Sequence, residues 1–131
     1  MPPFHLTLSV VLDLKLAVCR LDSQTAIPEW VFQSDPTFVS ITRTTEELSI
    51  VCEQSVVPEG IESQKDWFAL KVEGPLDFSL TGILFSISEP LAHAKISIFA
   101  ISTFNTDYIL IKEHNRQNAL EVLKKHFIIH E

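Results

Sequence analysis

Glycine is scarce in this chain. Only Gly60, Gly74 and Gly82 occur in 131 residues, too few and too scattered for the glycine-rich loop whose backbone amides cradle a phosphate. Cysteine is limited to Cys19 and Cys52, with neither CxxC spacing nor a nearby histidine pair, so the usual thiolate metal template is missing. Basic residues are outnumbered: 10 Lys and Arg against 17 Asp and Glu leave a net charge of −7. That balance opposes the phosphate attraction on which most nucleic-acid binding rests. No apolar run reaches the roughly 20 residues of a membrane span. The most apolar stretch, residues 76–101, is broken by Asp77, Glu89, Pro90, His93 and Lys95. The opening Met1-Pro2-Pro3-Phe4-His5 has no basic leader and no small-residue cleavage site. A cytoplasmic protein is expected, with neither nucleic acid nor membrane as partner.

Catalytic chemistry is equally thin. His5, His93, His114, His126 and His130 are scattered over termini and helix ends, and none forms the HxxxH or HExxH spacing that chelates a metal. Glu46-Glu47 is the one adjacent carboxylate pair, and neighbours on a strand point to opposite faces. Ser102-Thr103 has no base nearby in sequence. Neither an enzyme nor a metal or cofactor site is expected. Cys19 and Cys52 lie inside apolar strand patterns and read as buried, reduced thiols.

What is present is an apolar framework. A hydrophobic share of 46% with 21% charged residues suits one compact unit or two very small domains sharing a core. Every even position from Leu6 to Val18 is apolar, a strand period of two too long for one strand, so a break is expected near Asp13 and Lys15. A short helix is expected around Pro28 to Phe32, and residues 38–42 and 48–52 read as a hairpin around Arg43-Thr44-Thr45-Glu46. Residues 54–66 read as a linker. Residues 67–72 form a strand, and Leu80, Ile83, Leu84, Ile87 and Leu91 recur at helical spacing. Pro90 should kink that helix or end its regular hydrogen bonding. Residues 96–101 and 108–111 pair as a second hairpin. Asn115 caps a last helix with Ala119, Leu120, Leu123 and Phe127 on one side.

This order is close to a ferredoxin-like unit with its last strand either supplied by Ile128-Ile129-His130 or missing. Thr42-Arg43-Thr44-Thr45-Glu46 also aligns with Thr103-Phe104-Asn105-Thr106-Asp107, which sets Leu48 on Ile109 and Ile50 on Ile111. The expected fold is α+β, two ferredoxin-like βαββαβ units in tandem over residues 1–60 and 61–131, the first with a shortened helix.

Three segments carry a further resemblance: Leu70-Lys71-Val72-Glu73-Gly74-Pro75-Leu76-Asp77-Phe78, Ile87-Ser88-Glu89-Pro90-Leu91-Ala92, and Ile101-Ser102-Thr103-Phe104-Asn105-Thr106-Asp107-Tyr108-Ile109-Leu110. Together they resemble tandem ACT domains, of the CASTOR type found in cytosolic arginine sensors and small bacterial relatives. The resemblance is strong over residues 67–113. It implies a regulatory module that binds a free amino acid at an interface between two ACT units. Carried over by position, the loop after the first strand contributes Asp77, Phe78, Ser79, Leu80, Thr81 and Gly82, and the hairpin contributes Thr103, Phe104 and Asp107. Leu80 stands where the arginine sensors place an acidic residue, a departure from their pattern.

The residues themselves are compatible with that role. Amides at a helix start after Asp77 suit an α-carboxylate, Asp107 suits a cationic group, Thr103 offers a hydroxyl and Phe104 an apolar wall. Each also has a plainer reading: Asp77 or Ser79 as an N-cap, Asn105-Thr106-Asp107 as a turn. The alternative function is a structural or protein-interaction module with a decayed ligand site, which Leu80 and the shortened first half encourage. A homodimer is expected, since an incomplete first unit leaves strand edges or helix faces uncovered, and a regulated protein is the further partner expected.

Overall fold

The apolar alternation of residues 6–18 breaks where Asp13 takes a left-handed conformation (φ 56°). In the computed structural model, which describes residues 6–33, 38–73 and 82–131, this yields two strands, β1 (Thr7–Val10) and β2 (Leu16–Leu21). They belong to different compact units. One comprises Leu14–Trp67; the other joins Met1–Asp13 to Phe68–Glu131. Among the described residues, β1 falls with residues 68–131, where it pairs with the strands Ser63–Val72 and Ile128–His130.

The continuous unit, Leu14–Trp67, contains β2, a 3-10 turn over Glu29–Phe32, β3 (Ser40–Arg43), β4 (Leu48–Glu53), a 3-10 turn over Gln54–Val56, and the first part of β5 (Ser63–Val72). The strand order β3-β4-β2-β5 is that of a ferredoxin-like sheet, with both helices reduced to single turns. Ala17, Cys19, Leu48, Ile50 and Cys52 bury one sheet face together with Val31 from the first turn. Both cysteines are unbridged and buried. Contact with the Cys19 thiol, then burial, pushes the Cys52 thiol well above its ordinary pKa.

Residues 54–66 are therefore more than a linker. The polar Ser63-Gln64-Lys65-Asp66 lacks apolar alternation, yet its backbone pairs with β2 through Val18↔Gln64 and Cys19↔Ser63. The register shifts before Leu16↔Trp67, and Asp66 sits there at φ 65°, the mark of a β-bulge. Gln54 clamps it: its Oε1 accepts from the Asp66 backbone N–H at 2.7 Å and its Nε2 donates to Asp66 Oδ1 at 3.1 Å.

The split unit runs from β5 into α1 (Ile83–His93), β6 (Ile98–Ser102), β7 (Asp107–Lys112), a 3-10 turn over Glu113–Asn115, α2 (Arg116–Lys124) and β8 (Ile128–His130). This is the βαββαβ order, with one addition. β1 lies between β5 and β8, antiparallel to the first (Leu8↔Val72) and parallel to the second (Leu8↔Ile129). Phe68, Leu70 and Val72, two residues apart on β5, share a face with Leu8, Ile109 and Ile111, and that face packs on Ile83, Ile87 and Leu91 of α1 and Ala119, Leu120 and Leu123 of α2. The α+β fold of two ferredoxin-like units in tandem is the one expected; in the first unit both helices, rather than one, are shortened.

Local expectations fared unevenly. Leu84 was placed on the buried face of α1 but is 37% exposed, one residue off the Ile83, Ile87, Leu91 stripe. Leu80 lies outside the described residues. Pro90 lies inside α1, which continues to His93, and, lacking an N–H, leaves one helical hydrogen bond unmade. Asn115 precedes α2 without a side-chain cap. Near that end the Glu113 carboxylate accepts from Arg116 Nε at 2.6 Å, while the guanidinium lies 4.3 Å from the centre of the Phe68 ring.

Candidate functional site

The described residues of the expected ligand site fall at one end of the split unit's sheet. β5 reaches that end at Val72, and the β6–β7 hairpin turns there between Ser102 and Asp107. Asp77, Phe78, Ser79, Leu80 and Thr81 lie outside the described residues. Gly82, Thr103, Phe104 and Asp107 are described.

Gly82 is the residue before α1, with φ 79°, a conformation only glycine adopts readily. Its carbonyl accepts both the backbone N–H and the hydroxyl of Ser86, each at 2.8 Å. As a glycine it offers no side chain to the first-turn amides of Ile83 and its successors. Among the described residues no side chain caps the first-turn N–H groups of α1, where the positive end of its dipole lies.

The hairpin is a tight four-residue turn. Thr103 N–H donates to the Thr106 carbonyl at 2.8 Å, the Thr103 hydroxyl donates to the same oxygen at 3.0 Å, and Thr106 N–H donates back to Thr103 Oγ1 at 3.3 Å. The Thr103 hydroxyl is therefore engaged in closing the turn. Phe104 stands at the tip, 82% exposed, a large ring presented outward. Asp107 opens β7 opposite Ser102 and is half-buried; among the described residues its carboxylate has no assigned hydrogen-bond or ion-pair partner.

Sequence reading missed Thr106. It is 5% exposed, the one buried polar side chain among the described residues, and its hydroxyl donates to the Val72 carbonyl at the end of β5. A second feature lies on α1, where Phe85, Ser88, Glu89, Ala92 and His93 line a shallow groove. Among the described residues no group of three His, Cys, Asp or Glu side chains converges as a metal site, and no helix is long and apolar enough to cross a membrane.

The ACT-domain profile matches residues 62–125, and a second profile, an N-terminal domain, matches residues 15–60. The human protein named cytosolic arginine sensor for mTORC1 subunit 1 is 42% identical over 60 residues, which are 45% of this chain and 18% of the sensor. The chain thus spans under a fifth of the sensor's length. A structural-genomics protein from Agrobacterium tumefaciens superposes with a TM-score of 0.88 at 33% identity, over 96% of this chain and 92% of that one. The regulatory subunit of aspartate kinase from Thermus thermophilus superposes with a TM-score of 0.60 at 13% identity, over 88% and 95%, which is a likeness of fold. The chain belongs to the ACT-domain proteins, of the CASTOR-like type.

Proposed function

We propose that this chain is a regulatory module that binds a free amino acid at an interface between ACT units, by way of the split unit's rim, and that it acts as a homodimer on a regulated protein partner rather than as a catalyst. The observation that carries the reading is the hairpin at the end of β5, which presents the exposed Phe104 ring and the half-buried Asp107 carboxylate. An aromatic wall beside a carboxylate suits the aliphatic stem and cationic head of a basic amino acid. The start of α1 at Gly82 suits the α-carboxylate. The human relative's name, an arginine sensor of the cytosol, supports both the ligand class and a cytoplasmic location. Asp77, Phe78, Ser79, Leu80 and Thr81 complete the proposed ligand set. A second reading, an interaction module without ligand, is favoured by the Thr103 hydroxyl, which is engaged within the turn. A thermal-shift screen against the free amino acids separates the two readings. A ligand bound only to the native state raises Tm, and no shift with any amino acid at millimolar concentration supports the second.

A further inference from the structure

The two units contain the same hairpin with different anchors. β4 and β7 each last six residues and run directly into a three-residue 3-10 turn. The turns before them match as well: Thr44 N–H donates to the Glu47 carbonyl at 2.9 Å and Glu47 N–H donates to Thr44 Oγ1 at 3.2 Å, as Thr103 and Thr106 do in the split unit. Glu47 thus stands where Thr106 stands. An ionised carboxylate has no proton to donate, and the turn forms without one. In the continuous unit the hairpin is tied instead by Arg43, whose guanidinium donates to the carbonyls of Ser23 and Thr25.

The comparison isolates what the Thr106 hydroxyl adds. Turn closure does not require it. The hydroxyl's separate contribution is to fix the hairpin to the Val72 carbonyl from beneath, within a buried position. Phe104 lies two residues before Thr106 and Asp107 one residue after it, so this anchor sets where both present themselves. Arg43, by contrast, reaches across an exposed loop.

We infer that Thr106 is a positioning residue for amino-acid binding, acting through Phe104 and Asp107 without touching the ligand. The inference rests on the proposed function. Thr106→Val keeps the shape and removes the donor, and Thr106→Ser keeps the donor. The test is isothermal titration of wild type and both variants with L-arginine, together with amide hydrogen exchange of the ligand-free proteins. The expected result is about tenfold weaker binding by Thr106→Val, the effect of losing one hydrogen bond, with affinity restored to within about twofold in Thr106→Ser. Exchange should quicken at residues 103–107 in Thr106→Val while Leu120 and Leu123 in α2 keep wild-type rates. Equal affinity of wild type and Thr106→Val overturns the inference and leaves the proposed function standing. If wild type does not bind L-arginine, arginine is excluded as the ligand, and the exchange pattern decides the anchor alone. Quickening confined to the hairpin supports it, and unchanged or uniformly altered exchange overturns it.

Discussion

Asp66 offers a sharp test of how the continuous unit is held. It sits at φ 65° inside β5, a region that costs a residue with a Cβ roughly 1–2 kcal/mol and a β-branched one more. Gln54 holds it with two hydrogen bonds, at 2.7 and 3.1 Å. Asp66→Asn keeps the carbonyl acceptor and a side chain that tolerates this conformation, so stability should change by less than about 0.5 kcal/mol. Asp66→Val adds a branched Cβ at positive φ and removes the acceptor of Gln54 Nε2, a bond worth about 1 kcal/mol. The expected loss is about 2–3 kcal/mol, which lowers Tm by about 6–12 °C for a chain of this size. Urea unfolding followed by tryptophan fluorescence measures it, Trp67 being the next residue. In a Gln54→Ala background the Asp66→Val loss should shrink by about 1 kcal/mol, leaving the conformational part. Equal stability of Asp66→Val and Asp66→Asn would refute the claim that this bulge is strained and clamped.

Three further outcomes follow from the packing. Leu123→Ala, at a position with 0% exposure between α2 and the sheet, should lower unfolding stability by about 2–5 kcal/mol in urea titration. Gly82→Val meets nothing within 4 Å of the added Cβ, so its cost is conformational, about 1–2 kcal/mol from φ 79°, and Gly82→Asn should recover most of it. The raised Cys52 pKa, from its contact with Cys19 and burial, means the folded state keeps a proton that the unfolded state releases. Its stabilising contribution is complete below the ordinary thiol pKa and falls as pH rises above it. The same contact lowers the Cys19 thiol, so the pair as a whole holds one proton that the unfolded chain releases, and wild type should lose stability above the ordinary thiol pKa more steeply than a Cys19→Ala, Cys52→Ala double variant by urea titration; parallel slopes would contradict this.

Strand existence was legible because apolar residues alternate over residues 6–18 and form short apolar runs at residues 48–52 and 67–72. Register was not. The alignment of Leu48 with Ile109 is displaced by one strand period from the structural match of Leu48 with Asp107, the first residues of β4 and β7. A two-residue slip keeps every side chain on its face, so alternation alone cannot detect it. The place of β1 between β5 and β8 was hidden for a related reason, since its apolar pattern matches any half-buried strand and only tertiary pairing selects its partners. β5 was read as starting at Trp67 because Ser63 to Asp66 pair through backbone and a bulge, which leave no hydropathy signal. At the candidate site, the sequence names Phe104 and Asp107 as ligand residues and Thr106 as part of a turn. Threonine before aspartate looks the same in an exposed turn and in a buried anchor, and only the Val72 carbonyl beneath it tells them apart.

The central claim is that the rim hairpin binds an amino acid through Asp107. Its most direct measurement is isothermal titration of the common amino acids into wild type and Asp107→Asn, which keeps the turn and removes the charge. The account predicts that a basic amino acid binds wild type, and that Asp107→Asn weakens it about ten- to a hundredfold, the range for a hydrogen bond to a charged group, with Tm unchanged. Equal affinity of the two proteins, or no heat from any amino acid with wild type, would contradict it.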